Sequence, residues 1–253
     1  MIRRVIEEAR FVQVRSSGEG VDIPRADRAH DFEAVEALPD IRSLADGDES
    51  ARSVVQLLPA YAELQRGETA HVAEHLDAGV PDRRLAGAPS LYEQMLTHDL
   101  PLSAADYARL RAFGPGFARL CDELAAASVP ETMQHDDLHG NNVCSYNGVA
   151  RILDWGDSCI SHPFLTLFVT FLHLEKMEGQ ARGDPWFTRL RDAYLEPWGQ
   201  PGELRETFEL AQRLGPFAHV FKELRVLDAI PEKKRHFLRD LPDILARCIA
   251  IAA

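Results

Sequence analysis

The chain has 253 residues, 45% of them hydrophobic and 27% charged, which is enough for a sizeable core or two lobes. Its formal net charge of −12 excludes a general nucleic-acid binder, which displays basic stripes, and is compatible with a cationic small molecule as ligand. No run is long enough to span a membrane, the N-terminal MIRRVIEEAR lacks an apolar signal region, and Cys121, Cys144, Cys159 and Cys248 lack ligand-like spacing, so reduced thiols in the cytoplasm are expected.

Residues 1–50 carry weak periodicity and read as an irregular segment. Arg3 to Val14 could be an amphipathic helix or a strand, and Ser17-Gly18-Glu19-Gly20 places an acid where a phosphate loop would need none. From Ser50 the text becomes helical. Val54, Leu57, Leu58, Tyr61 and Leu64 form one apolar stripe, and Gly67 separates it from a second helix over about Thr69 to Asp77. His71 and His75 lie on that helix with Glu74 between them and read as surface histidines rather than metal ligands. Asp82-Arg83-Arg84 could pair with acids elsewhere or touch phosphate, and a solvated salt-bridge cluster is the preferred reading. Ser103 and Asp106 resemble a capping box that opens a helix through Phe113. Gly114-Pro115-Gly116 is expected to break it before the stripe of Phe117, Leu120 and Leu124.

Val129-Pro130 then leads through a short strand into Gln134 to Phe164, the most polar and most informative stretch of the chain. Asn147-Gly148 suits a two-residue type I′ hairpin turn, flanked by the strands Val143 to Tyr146 and Val149 to Leu153. If Tyr146 pairs with Val149, Asn142 lies opposite Leu153, one residue from Asp154. Asp137, Asn142 and Asp154 thereby come to one end of a small sheet, an oxygen-rich arrangement suited to a hard cation such as Mg²⁺. His135, Asp137 and His139 at alternating positions leave a metallohydrolase open as a third reading.

The pattern His135-x-Asp137-x4-Asn142, followed by Ile152-Leu153-Asp154-Trp155-Gly156-Asp157, resembles the core of the aminoglycoside phosphotransferase family, within the protein-kinase-like fold. The likeness, which extends through YAELQR, GVPDRR and LYEQML, covers roughly residues 50–250. It implies an α+β, mostly α-helical fold: a kinase-like large lobe over 51–253 with a small catalytic hairpin, and over 1–50 an irregular segment or a remnant of the nucleotide-binding lobe. It further implies transfer of the γ-phosphate of ATP to a hydroxyl of a small molecule, with Mg²⁺ as cofactor. Asp137 is then the catalytic base, His135 supports the loop through hydrogen bonds, and Asn142 and Asp154 hold metal and nucleotide phosphates. Asp136 stands where the family usually has Gly or Arg. It could add charge to the metal site, raise the pKa of Asp137 or face water, the preferred reading. His139 and Asp157 are expected to stand behind the ligands, and Asn141 to be a turn residue. The family's small lobe also supplies a strand lysine that pairs with nucleotide phosphates, whereas the first lysine here is Lys176. A non-catalytic binding module that kept the loop motifs is therefore the alternative.

After Asp157, Pro163 opens a helix whose segment Phe164 to Leu174 is apolar nearly all round, so it is expected to be buried behind the hairpin. Asp184-Pro185 starts another helix, and Gly215-Pro216 is read as a junction between two more. Glu175 and Glu178 are read as acids near the site that would favour a cationic acceptor.

Overall fold

The computed structural model describes residues 12–13, 36–37, 49–139, 142–146, 149–178, 184–229 and 234–253. Asn141, the Asn147-Gly148 turn and the Ser17-Gly18-Glu19-Gly20 stretch lie outside them. Two short strands come first, β1 (Val12–Gln13) and β2 (Glu36–Ala37). Helix α1 (Glu49–Glu68) buries Leu57, Leu58 and Tyr61 on the expected stripe. Gly67 does not end it but lies in its last turn, and a 3₁₀ turn over Thr69–His71 leads into α2 (Val72–Asp77). His71 and His75 pair with Glu74 and Glu68 at 3.4 and 2.6 Å. Gly79, at φ 90°, closes α2 in the left-handed region that glycine adopts freely.

Helix α3 (Ala88–Met95) is followed by α4 (Ala104–Ala125), where the Ser103 hydroxyl accepts the Asp106 N–H at 3.1 Å as the capping box requires. The expected break at Gly114-Pro115-Gly116 does not occur: α4 runs through it. An internal proline removes one helical hydrogen bond and costs about 3 kcal/mol. Aromatic packing on both sides of Pro115 holds the axis together, with Phe113 and Phe117 against Phe217 and Phe117 stacked on Tyr92 at 4.5 Å. Gly215-Pro216 is likewise no junction, because helix α7 (Pro201–Ala229) passes through it with both residues buried.

The site-bearing segment comprises β3 (Thr132–Gln134), β4 (Val143–Tyr146), β5 (Val149–Ile152) and β6 (Cys159–Ser161). β4 and β5 form an antiparallel hairpin with Tyr146 opposite Val149, the register expected from the sequence. β1 and β2 flank it, giving the order β1-β5-β4-β2, while β3 pairs with β6 in a separate two-stranded sheet. The remaining helices are α5 (Leu167–Glu178), α6 (Pro185–Leu195), α7 and α8 (Lys234–Ile251). Phe164, in the 3₁₀ turn that precedes α5, and Leu167, Phe168 and Leu174 within it are all buried, so α5 is the internal helix its composition predicts. Its Thr170 hydroxyl donates to the Leu138 carbonyl at 2.6 Å, which ties it to the loop between β3 and β4. The architecture is α+β and mostly helical.

Candidate active site

The loop between β3 and β4 is held from below. Tyr61 of α1 accepts the His135 N–H at 2.9 Å and shares a hydrogen bond with Thr166 at 3.0 Å. The His135 ring is buried edge-on against Trp155, with centroids 4.8 Å apart. Its Nε2–H donates to the Leu153 carbonyl at 2.7 Å, and its Nδ1 accepts the Asp137 N–H at 3.3 Å. This is a neutral imidazole, and burial pushes its pKa down against the pull of Leu153 and the nearby carboxylates. With both nitrogens committed to backbone, His135 connects the Asp137 loop to the strand end before Asp154.

Asn142 locks the other side. Its Nδ2 donates to the Asp137 carbonyl at 2.8 Å and to Asp137 Oδ2 at 3.1 Å, and its own carbonyl accepts the Leu153 N–H at 2.8 Å. The hairpin thus brings Asp137, Asn142 and the residue before Asp154 together. His139 Nε2 stands 3.3 Å from Asp137 Oδ2, and its ring stacks on His173 of α5. Lys222 Nζ of α7 meets Asp137 Oδ1 at 3.1 Å. Burial pushes the Asp137 pKa up, but His139 and Lys222 outweigh it and hold the carboxyl far below the usual range.

Asp154 is exposed and left-handed at φ 56°, and a Cβ on Gly156, two residues on, would come within 3.4 Å of its Oδ1. The donor chemistry fits a hard divalent cation. Asn142 turns its Nδ2 toward Asp137, so its Oδ1 faces away, and Asp154 adds an exposed carboxylate. Those two oxygens would leave most positions around a bound cation to water and phosphate, the arrangement Mg²⁺ prefers. A zinc set of His135, Asp137 and His139 does not form, because His135 spends both nitrogens on backbone. Among the described residues no cluster of three metal-ligating side chains is present.

The sequence profile of the phosphotransferase enzyme family (APH) matches residues 19–207, three quarters of the chain. The chain belongs to the phosphotransferase enzyme family. A search of curated proteins gives no match. Among solved structures, a choline/ethanolamine kinase family protein from Mesorhizobium loti aligns at 17% identity over 86% of this chain and 66% of that one, with a TM-score of 0.53. A macrolide 2'-phosphotransferase type I aligns at 16% over 96% and 67%, TM-score 0.46. An aminoglycoside 2'-phosphotransferase-IIIa in complex with GDP aligns at 16% over 82% and 65%, TM-score 0.48. The chain spans about two thirds of the length of these structures. The first likeness establishes the protein-kinase-like fold that the motifs imply.

Against the family pattern, three sequence readings need correction. Asp136 does not face water. It is 4% exposed and forms an ion pair with Arg83, itself buried and therefore not part of a solvated cluster. Asp136 sits at φ 62°, the left-handed backbone that suits a family glycine and that Asp tolerates. Its side chain turns inward because the buried guanidinium demands a counter-charge. Asp82 and Arg84 do form the exposed pair expected of them. Glu175 is not an acid presented to a ligand, since Arg247 of α8 holds it at 2.7 Å.

Lys222, Arg225 and His173 escape the motif reading altogether. Asp157 lies 3.3 Å from Arg225 and 3.8 Å from Lys222, so α7 reaches both halves of the motif. Lys222 continues a small-residue stripe, Ala211, Gly215 and Ala218, at four- and three-residue steps. A lysine on a stripe otherwise suited to close packing was the available signal. An open groove of about 250 Å³, lined by residues of both signs including Asp82, Arg83, His98, Arg225 and Asp228, shares Arg225 with this cluster.

Proposed function

We propose that this chain is an ATP-dependent, Mg²⁺-requiring phosphotransferase that moves the γ-phosphate onto a hydroxyl of a small molecule. The observation that carries the reading is the Asp137–Asn142 lock, built onto a hairpin that delivers Asp154 to the same end of the sheet. Membership of the phosphotransferase enzyme family supports the reaction class.

In the reaction, Asp137 accepts a hydrogen bond from the acceptor hydroxyl and aims its oxygen at the γ-phosphorus. The new O–P bond forms as the bond to the β-phosphate oxygen breaks, and the hydroxyl proton passes toward Asp137 and on to solvent. A carboxylate whose pKa is held so low is a weak base, so its contribution is chiefly orientation, with proton transfer late. Phosphoryl transfer suits such a residue because positioning and charge stabilisation do most of the work. Asn142 and Asp154 are assigned to the cation, which when bound offsets charge on the phosphate oxygens. The mixed-sign groove, whose Arg225 also pairs with Asp157, is assigned to the acceptor, so the chain's overall acidity does not by itself select a cation.

Calorimetry with Mg²⁺-ATP on this chain and on Asp154→Asn tests the reading. Metal-dependent binding that is lost in the variant is expected, followed by phosphorylation of an alcohol in a panel containing choline, ethanolamine and an aminoglycoside. No binding at millimolar nucleotide would sink the reading and leave a binding module without turnover.

A further inference from the structure

Lys222 is 85 residues from Asp137 in sequence and belongs to no motif, yet its side chain is 5% exposed and its ammonium touches the central carboxylate. Two turns earlier on α7, a Cβ on Gly215 would come within 2.6 Å of the Phe168 ring of α5. That close approach fixes where Lys222 leaves the helix. Its Nζ lies 3.1 Å from Asp137 Oδ1, 3.4 Å from Glu223 Oε1 and 3.8 Å from Asp157 Oδ2. One turn on, Arg225 takes the other oxygen of Asp157 at 3.3 Å.

Burying an ammonium among carboxylates is a poor way to gain stability, because well-packed apolar residues usually do as well or better. What such a group does supply is geometry. A carboxylate has about four acceptor positions. On Asp137, Asn142 and His139 take Oδ2 and Lys222 takes one side of Oδ1. One position on Oδ1 is left for an acceptor hydroxyl, next to the ammonium.

We propose that Lys222 is a positioning residue of the phosphotransferase site: from α7 it fixes Asp137 Oδ1 so that a single lone pair faces the acceptor hydroxyl. Its catalytic effect rests on the reading of Asp137 given above; its effect on Asp137 geometry does not. The near-isosteric Lys222→Met removes the charge, and Lys222→Arg keeps it. Two measurements on the full chain separate the two levels. First, ¹⁵N NMR of the wild-type chain should show a slowly exchanging lysine Nζ signal that moves in Asp137→Asn, and the Asn142 side-chain amide signals should move in Lys222→Met. A Nζ signal indifferent to Asp137→Asn overturns the proposal without requiring any Lys222 variant to fold. Unmoved Asn142 signals in a folded Lys222→Met protein overturn it equally. Second, phosphate release from Mg²⁺-ATP with water as acceptor should fall about 10- to 100-fold in kcat for Lys222→Met, the scale of a misplaced reacting group. KM for ATP should stay within about twofold and Lys222→Arg should recover part of kcat. A loss confined to KM, or full kcat in Lys222→Met, refutes the proposal. Should the wild-type chain neither bind nor turn over Mg²⁺-ATP, the function reading fails while the NMR comparison still decides the role of Lys222.

Discussion

Asp136 illustrates how one backbone angle and one buried charge fix a residue's role. Left-handed φ at this position favours glycine, and the carboxylate is kept because Arg83 lies beneath the loop. Burial pushes the Asp136 pKa up while the charges of Arg83 and Lys222 oppose the rise. Removing one partner of a buried pair strands the other, at a typical cost of about 3–5 kcal/mol. Arg83→Met is therefore expected to lower the urea-unfolding free energy by that order. Arg83→Met combined with Asp136→Gly, which removes both charges and suits the backbone, should recover most of it. Equal losses in the single and double variants would show that the pair is not coupled.

Among the helices, α7 is the element that decides the site, and its placement depends on the absence of a side chain. Replacing an internal helical glycine by alanine ordinarily stabilises, by up to about 1 kcal/mol. Gly67, near the end of α1, has no neighbouring atom within 4 Å of where a Cβ would stand, so Gly67→Ala should follow that rule. Gly215 should break it. The added Cβ would meet three atoms of Phe168 at 2.6–2.7 Å, within a packed layer that cannot yield cheaply. Gly215→Ala is expected to destabilise by about 1–3 kcal/mol, the usual range for overpacking. Thermal melts of the two variants should move in opposite directions.

For the molecule as a whole, the buried histidines set a pH dependence. His162 is fully buried and His219 largely so, and burial pushes each imidazole pKa down to about 3 from the ordinary 6.5. Between those values the unfolded chain holds protons that the folded chain excludes. Stability therefore falls as pH drops below about 6.5, by roughly 1.4 kcal/mol per pH unit for each histidine, and the loss levels off near 3. Asp137, depressed rather than raised, adds its own loss only below the usual carboxylate range. Glu131 and Asp136 run the opposite way, because burial raises their pKa. The comparison that isolates one histidine is His162→Asn, since His162 Nδ1 accepts the Phe164 N–H at 3.3 Å and an Asn oxygen can replace it. Urea melts at pH 7.5 and 5.5 should show a shallower loss in the variant. An unchanged slope would mean that His162 is protonated in the fold.

The features legible in the sequence were local in origin. Strand-forming runs on either side of an expected turn pointed to the β4–β5 register, the motif spacing placed Asn142 across from Leu153, and the Ser103 cap and the apolar stripes of α1 and α5 could be read directly. Each of these depends on neighbours within a few residues or on one hairpin. The features that emerged only on folding involved partners far apart in the chain. Pro115 and Pro216 failed to end their helices because aromatic packing from other elements outweighed the lost hydrogen bonds. Asp136 turned inward because Arg83, 53 residues earlier, was buried beside it. Lys222 entered the site because α7 packs against α5 where Gly215 carries no side chain. Charge pairing across such separations has no period or motif, since it is fixed by packing distance and by the need to neutralise a buried charge.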